Sequence, residues 1–79
     1  MKVTLKLLAT YRQNLPAGTP GTTCEIQVPT NAQADTVLAQ FNIPIDRTTV
    51  ILVNGSVPTP GQKLQEGDVL CAFPAMAGG

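Results

Sequence analysis

Two stretches near the start of the chain alternate between apolar and polar residues. Their apolar positions are Val3, Leu5 and Leu7, followed by Cys24, Ile26 and Val28. Side chains of a strand point alternately to opposite faces, so this period of two predicts two strands, each with one buried face. Residues 13–23, which lie between them, contain two prolines and two glycines and are predicted to form a loop. Pro29 ends the second strand.

A helical period follows the second strand. Its apolar residues have the spacing i, i+3, i+4 and i+7, and they are Ala34, Val37, Leu38 and Phe41. This one-sided stripe predicts a short helix that lies against a sheet. Thr30 and Gln33 have the spacing of a capping box, with Asn31 as an alternative cap. Asn42 is predicted to end the helix in a left-handed conformation, and Pro44 prevents its continuation.

The second half of the chain is again predicted to be β. The apolar run Val50–Val53 leads into Asn54-Gly55, the preferred residue pair for a tight hairpin turn. Pro58 and Pro60 then break the returning strand early, which is typical of a strand at the edge of a sheet. The sequence therefore predicts a strand, a hairpin turn and a short return strand.

A last strand is predicted near the end of the sequence. Leu64 is expected to fill the core from a loop, and the Glu-Gly-Asp turn at 66–68 leads into the strand. The residues predicted to share its core face are Val69, Cys71 and Phe73. The predicted order is β-β-α-β-β-β, an α+β fold with a mixed sheet of four to five strands and one helix packed on one face.

Composition and charge narrow the possible functions. The 79 residues are enough for one small domain, and 43% hydrophobic with 13% charged residues is typical of a globular chain. The sequence has no His, which removes the commonest general base and the usual zinc ligand, and its two cysteines lie in no metal-ligand spacing. These features argue against a self-contained hydrolase or metalloenzyme.

The charged residues form no patch along the sequence. Five basic and five acidic residues are scattered and give a net charge of zero, unlike the basic stripe of a nucleic-acid binder or the polybasic segment of a membrane anchor. The start of the chain is too polar for the apolar region of a signal peptide, and no apolar run reaches membrane-spanning length. We therefore expect a cytoplasmic protein that binds neither nucleic acid nor membrane.

Four segments, taken in order, resemble the MoaD/ThiS family of ubiquitin-like sulfur carriers, which have a β-grasp fold. The segments are MKVTLKLLATYR, ADTVLAQFNIP, VILVNG and LQEGDVLCAFPAMAGG. The resemblance extends over essentially the whole chain. It implies a ubiquitin-like β-grasp domain at residues 1–74 and a flexible C-terminal tail at residues 75–79, ending in Gly78-Gly79.

The resemblance also implies a function for the two final glycines. In this family the terminal carboxylate, here that of Gly79, is adenylated by a ubiquitin-activating-type enzyme similar to MoeB or ThiF. It is then converted to a thiocarboxylate that delivers sulfur in cofactor biosynthesis. The activating enzyme uses the ATP, so the chain is expected to be a carrier without a bound cofactor and without enzymatic activity of its own. Gly78 and Gly79 lack a Cβ atom and suit a narrow channel in the partner enzyme.

The residues before the glycines are more similar to one branch of the family. Phe73-Pro74, followed by three residues and Gly-Gly, resembles the small subunit of molybdopterin synthase, which pairs with a MoaE-like large subunit. The chain departs from that pattern at Gln13, Ala75 and Met76. Alternatives are a ThiS-like carrier that serves thiazole synthase or another sulfur pathway, a ubiquitin-like protein modifier, and a β-grasp binding module with an incidental Gly-Gly end.

Four further residues are candidates for contact with a partner. Phe73 is assigned mainly to the core, with Pro74 directing the tail outward. Met76 has an adaptable apolar side chain without an evident place in the core, which suits a groove on a partner enzyme. Arg12 is either a solvated loop residue or a ligand for a partner carboxylate.

The remaining reactive side chains are assigned to structure. Cys24 and Cys71 are expected in the core, without a base to activate either thiol. The first strand of a β-grasp fold would separate their two strands, so two strand spacings of ~4.8 Å exclude a disulfide between them. Asp68 is assigned to turn formation rather than to a basic surface on an activating enzyme.

Overall fold

The computed structural model describes residues 1–75, which form a four-stranded mixed sheet, one α-helix and one 3-10 helix. The elements are β1 (Lys2–Leu7), a 3-10 helix (Ala9–Asn14), β2 (Thr23–Gln27), α1 (Ala34–Gln40), β3 (Thr49–Val53) and β4 (Val69–Pro74). The strand order is β2-β1-β4-β3. The two central strands, β1 and β4, are parallel, and each edge strand is antiparallel to its neighbour.

The core lies between one face of the sheet and α1. The predicted inward residues of β1 have no exposed surface, and the predicted apolar stripe of α1 faces them, with Ala34, Val37 and Leu38 buried and Phe41 packed at the margin. Leu64 fills the core from a loop, as predicted. Its N–H donates a hydrogen bond to the Ala32 carbonyl at 2.7 Å, which holds this loop beside the segment that precedes α1. The predicted α+β fold with one helix on one face of a mixed sheet is confirmed.

The start of α1 differs from the prediction, whereas its end does not. Gln33 occupies the N-cap position with an extended backbone and makes no capping hydrogen bond through its side chain. A backbone bridge to Lys63 holds Gln33 extended, so the helix begins at Ala34, three residues later than a cap at Thr30 predicts, and the capping box does not form. Asn42 follows the helix with a φ of 63°, the predicted left-handed conformation.

The predicted return strand after the hairpin turn is absent from residues 1–75. Asn54 and Gly55 do adopt positive φ values, but only a single bridge, between Val53 and Ser56, follows them. The partner of β3 is instead β4. Pro58 and Pro60 cannot donate to a ladder, so the chain leaves the sheet after one pairing and β3 becomes an edge strand. The observed order is β-β-α-β-β, with a 3-10 helix in the first connection.

The predicted core face of β4 is wrong. Leu70 and Ala72 have no exposed surface and face the core, so Val69, Cys71 and Phe73 lie on the opposite, outer face of the sheet. The register with β1 is the cause, because it aligns Leu70 and Ala72 with the inward residues of β1. Every residue of this strand before its proline is apolar, so the sequence offers no polar face by which to orient it.

Candidate functional site

An apolar patch covers half of the outer face of the sheet. We call it the outer patch, and its residues are Val50, Leu52, Val69, Cys71 and Phe73. The ladder between β3 and β4 places Val50 opposite Phe73 and Leu52 opposite Cys71. Four of the five side chains are half-buried by their neighbours, and Val69 is 38% exposed. A contiguous apolar surface of this kind, bordered by polar residues, is typical of a protein-binding site.

The other half of the outer face is polar. Thr4 and Lys6 of β1 are aligned with Val69 and Cys71, so they border the outer patch directly. Further out, Lys2 and Glu25 form an exposed ion pair across β1 and β2, with Nζ and Oε1 3.8 Å apart. The face therefore combines an apolar surface with a cationic border at Lys6, which suits a partner that presents apolar side chains beside an acidic one.

The two cysteines lie on opposite faces of the sheet. Cys24 packs against the margin of the core, whereas Cys71 belongs to the outer patch, which corrects the core assignment of Cys71. Strand β1 lies between β2, which carries Cys24, and β4, which carries Cys71, and both thiols are free. The prediction that the two cysteines form no disulfide is therefore confirmed. Burial raises the pKa of both thiols, and the Lys6 charge offsets part of this rise for Cys71. Both are therefore thiols rather than thiolates at neutral pH, which does not favour a nucleophile.

The end of β4 lies at the corner of the outer patch. Pro74 is paired with Thr49 at a position where the antiparallel ladder needs no hydrogen bond, so its missing N–H leaves no gap. The next residue continues the ladder, because the Ala75 N–H donates to the Thr48 carbonyl at 2.8 Å. Pro74 is thus part of the sheet, and the ladder extends to Ala75, the last residue that the structure describes.

Of the other candidate residues, the structure describes Arg12 but not the final ones. Arg12 is exposed in the 3-10 helix, and its Nε donates a hydrogen bond to the Gly21 carbonyl at 2.9 Å. This contact holds the 3-10 helix to the loop before β2 and gives Arg12 a role in the fold, outside the outer patch. Met76, Gly78 and Gly79 lie outside the described residues, and the roles predicted for them stay predictions, as does the division between domain and tail.

Asp68 forms a turn, as predicted. Its Oδ2 accepts a hydrogen bond from the Gln65 N–H at 2.8 Å, and its Oδ1 accepts one from Asn54 Nδ2 at 2.9 Å. Asn54 Oδ1 in turn accepts the Val69 N–H at 2.9 Å. These bonds join the turn before β4 to the turn after β3 and thereby fix the register of the strands that carry the outer patch.

Sequence reasoning missed Val50 and Leu52 as surface residues. Both belong to an unbroken apolar run, which indicates a strand with two apolar faces but does not say that one of them is uncovered. The sequence of β3 and β4 did contain evidence of an apolar outer face, since neither strand shows the alternation of apolar and polar residues that β1 shows. Two adjacent strands without a polar face would have indicated a sheet that is apolar on both sides.

A cavity of about 240 Å³ lies away from the outer patch, between the start of α1 and the loop at 58–62. Its apolar walls include Ile45, Ile51 and Pro58, and Asp35 is its one charged lining residue. Ligand pockets usually exceed roughly 300 Å³ and contain several converging polar groups. This cavity therefore does not favour a small-molecule site. No helix within residues 1–75 is long and apolar enough to cross a membrane.

The helix on one side of the sheet, the apolar face on the other and the two parallel central strands β1 and β4 define a ubiquitin-like β-grasp protein. The chain belongs to the ThiS family, whose model matches residues 6–79. It is thus a ubiquitin-like carrier of the MoaD/ThiS type, and the predicted family is confirmed. Membership implies partnership with an adenylating enzyme of the ubiquitin-activating type and with a synthase in general.

Two solved structures have the same fold. SAMP1 from Haloferax volcanii is 22% identical, with a TM-score of 0.73 and complete coverage of both chains. The "Putative molybdopterin converting factor, subunit 1" from Pyrococcus furiosus is 26% identical, with a TM-score of 0.72 over 95% of this chain and 98% of that one. A search of curated proteins finds no match. At its low identity, the likeness to SAMP1 is evidence for the fold alone.

Proposed function

We propose that the chain is a sulfur carrier whose Gly79 carboxylate is adenylated and converted to a thiocarboxylate that donates sulfur in molybdopterin biosynthesis. The observation that carries the proposal is the family match, which runs from β1 through the Gly-Gly pair at 78–79. The similarity to the molybdopterin converting factor subunit and the Phe73-Pro74 pair at the end of β4 support the choice of pathway.

The chemistry requires two enzyme-catalysed steps on one carboxylate. An ionised carboxylate is a poor electrophile at neutral pH. Attack of a carboxylate oxygen of Gly79 on the α-phosphorus of ATP forms an acyl-adenylate and releases pyrophosphate. Hydrosulfide then attacks the acyl carbon and expels AMP, which carries away one carboxylate oxygen, so sulfur replaces that oxygen. A persulfide donor would instead form an acyl disulfide, and a thiol reductant would have to cleave its S–S bond to release the thiocarboxylate. The sequence contains no His, and both cysteines are held as thiols, so the activating enzyme must supply the catalytic groups.

The outer patch is the surface that would hold the chain on the activating enzyme. It lies on β3 and β4, and Phe73 is separated from Gly79 by only five residues. An extended chain spans at most ~3.6 Å per residue, so an enzyme bound to the patch has its adenylation site within roughly 20 Å of Phe73. This corrected position of Phe73, on the outer face rather than in the core, leaves its side chain available for the partner contact that we propose.

The test is the mass of the intact protein after reaction. Incubated with the ubiquitin-activating-type enzyme of its own organism, ATP and a sulfur donor, the chain should gain the mass difference of one oxygen-to-sulfur exchange. Deleting Gly79, or adding one residue after it, should abolish the exchange because the carboxylate is displaced from the activating site. Circular dichroism should confirm that both variants remain folded. A Gly79-deleted chain that still supports sulfur transfer would rule out the carrier mechanism.

A second measurement decides the pathway. The thiocarboxylated chain should transfer its sulfur to the molybdopterin precursor when the large synthase subunit of the same organism is added. Recovery of thiazole synthase from cell extract instead of that subunit would favour the thiamine alternative. A ladder of isopeptide conjugates that depends on Gly79 would favour the protein modifier.

A further inference from the structure

A cluster of hydrogen bonds surrounds the end of β4, at the last residues that the structure describes. The Thr48 carbonyl, which accepts the last ladder bond within residues 1–75 from the Ala75 N–H, belongs to a turn built on Asp46. The Thr48 N–H donates to Asp46 Oδ1 at 2.8 Å, the Thr48 hydroxyl contacts the same oxygen, and the Thr49 N–H donates to the Asp46 carbonyl at 3.1 Å. The acceptor for Ala75 is therefore held in place before β3 begins.

A side-chain hydrogen bond ties a second element to the same point. The Tyr11 hydroxyl and Thr49 Oγ1 are 2.7 Å apart in a partly buried setting. Tyr11 lies in the 3-10 helix, which packs against β4, and Thr49 is the residue of β3 that pairs with Pro74. The bond thus joins the 3-10 helix to the edge strand across the end of β4. We call Tyr11, Asp46, Thr48 and Thr49 the exit cluster.

The exit cluster lies at the part of β4 that extends past the end of β1 and is therefore paired on the β3 side only. The last hydrogen bond between β4 and the β1 side is donated by the Leu8 N–H to the Ala72 carbonyl at 3.1 Å. Beyond it, among the described residues, Phe73 and Pro74 pair with β3 alone, and Ala75 bonds to Thr48, the residue before β3. A strand end held on one side is prone to fray, so bonds that fix its single partner determine how far the ladder extends.

The length of the ladder sets the reach of Gly79. With the Ala75–Thr48 bond in place, four residues follow, and they span at most ~14 Å. If the ladder ended at the preceding hydrogen-bonded pair, Val50 and Phe73, two more residues would be released and the maximum reach would grow by ~7 Å. The same carboxylate would then sample a much larger volume around the end of the sheet.

We propose that the exit cluster is a positioning device that presents the Gly79 carboxylate at a defined reach to the adenylating enzyme. Tyr11 and Thr49 are its positioning residues, because their bond stabilises the strand that holds Ala75. The inference rests on the proposed function. Placement of a reacting group is costly to disturb, since a displacement of ~1 Å can lower a rate by as much as ~100-fold.

The variants Tyr11→Phe and Thr49→Val each remove one hydroxyl of the bond while keeping the shape of the side chain. Asn14→Ala is the matched control, because Asn14 lies in the same 3-10 helix and its Nδ2 donates to the Phe41 carbonyl at 2.8 Å, away from the exit. Amide hydrogen exchange at Ala75, followed by NMR, measures the ladder end directly and needs no partner enzyme.

We expect Ala75 to exchange about threefold to tenfold faster in both hydroxyl variants and at the wild-type rate in Asn14→Ala, since local opening is sensitive to nearby bonds. Unchanged exchange in Tyr11→Phe and Thr49→Val would overturn the proposal, as would an equal acceleration in the control. The double variant should match the more affected single variant, because both substitutions break the same bond.

The second arm measures adenylation by ATP–pyrophosphate exchange at varied carrier concentration. The hydroxyl variants should lower kcat about threefold to tenfold and leave KM within about twofold, because docking through the outer patch is unaffected while placement is disturbed. Faster Ala75 exchange with an unchanged kcat would overturn the positioning role. A wild-type chain that supports no adenylation would contradict the proposed function instead, while the NMR arm would still decide whether the hydroxyl bond holds the ladder end.

Discussion

The two faces of β4 are equally apolar in sequence and have opposite fates in the structure. Leu70 and Ala72 have no exposed surface, whereas Val69, Cys71 and Phe73 remain open to solvent in part. The inner face is covered by the core of this chain. The outer face is covered within residues 1–75 only by its own neighbours in the outer patch. Hydrophobicity therefore identifies the strand, but it does not distinguish residues that fill the core from residues that form the outer patch.

The largest expected difference between the faces is in stability. Leu70→Ala on the inner face should lower the free energy of unfolding by about 2–5 kcal/mol, because it leaves a cavity in a fully packed core. Leu52→Ala on the outer face is the matched control and should cost about 1 kcal/mol, since that side chain is only half-buried. Urea unfolding of both variants measures the difference, and equal losses would contradict the assignment of the faces.

The second comparison concerns binding. Phe73→Ala should weaken binding to the activating enzyme by about tenfold or more, as loss of an aromatic anchor at an interface usually does. Its cost in stability should stay near that of Leu52→Ala, well below the loss expected for a buried phenylalanine. Calorimetric titration and urea unfolding of the same variant separate the two effects. A large loss of stability with unchanged binding would contradict the surface position of Phe73 and indicate that its side chain packs in the core.

Met76 provides a companion to this test, although it lies outside the described residues. Met76→Ala should weaken binding to the enzyme and leave the midpoint of thermal unfolding almost unchanged. If Met76→Ala lowers the midpoint as strongly as Leu70→Ala does, residue 76 packs on its own domain and the predicted groove contact is wrong.

The cysteines sharpen the comparison because one lies on each face. Alkylation of the free chain should modify both thiols slowly, since burial raises the pKa of each. The activating enzyme should slow the modification of Cys71 several-fold and leave Cys24 unaffected, which peptide mass spectrometry can measure. Protection of Cys24 alone would contradict binding of the activating enzyme to the outer patch, because Cys24 lies on the opposite face of the sheet. In the unfolded chain, titration should find two free thiols.

The smallest expected effect is the dependence of stability on alkaline pH. The folded pKa of each thiol is raised above its unfolded value near 9.0, so this stability is fully present below that value and is lost as pH rises through the folded pKa. The urea midpoint of the wild type should therefore fall more between pH 8 and pH 10 than that of Cys24→Ala or Cys71→Ala. An identical fall in all three would mean that the thiols do not contribute.

Much of the fold could be predicted from local patterns. The period of two in β1 and β2 identified strands and their inward faces, and the period near 3.6 in α1 identified the helix and its buried stripe. Asn42, Asn54 and the turn at Asp68 were recognisable because positive φ values and side-chain turns favour a small set of residues. The family was identified separately, by the resemblance of four sequence segments in order, the last of which ends in Gly-Gly, and the family model confirms it.

Only the tertiary structure decided which half of an apolar strand is buried and which half forms the outer patch. The outer patch depends on the register of β4 with β1, and no local pattern in VLCAF specifies that register. The return strand after Asn54-Gly55 likewise failed because β3 pairs with β4, some fifteen residues further along the chain. The exit cluster joins Tyr11 to Thr49, which are 38 residues apart, through a bond that neither sequence neighbourhood indicates. Local propensities determine the elements, whereas register and long-range hydrogen bonds determine which side chains remain for a partner.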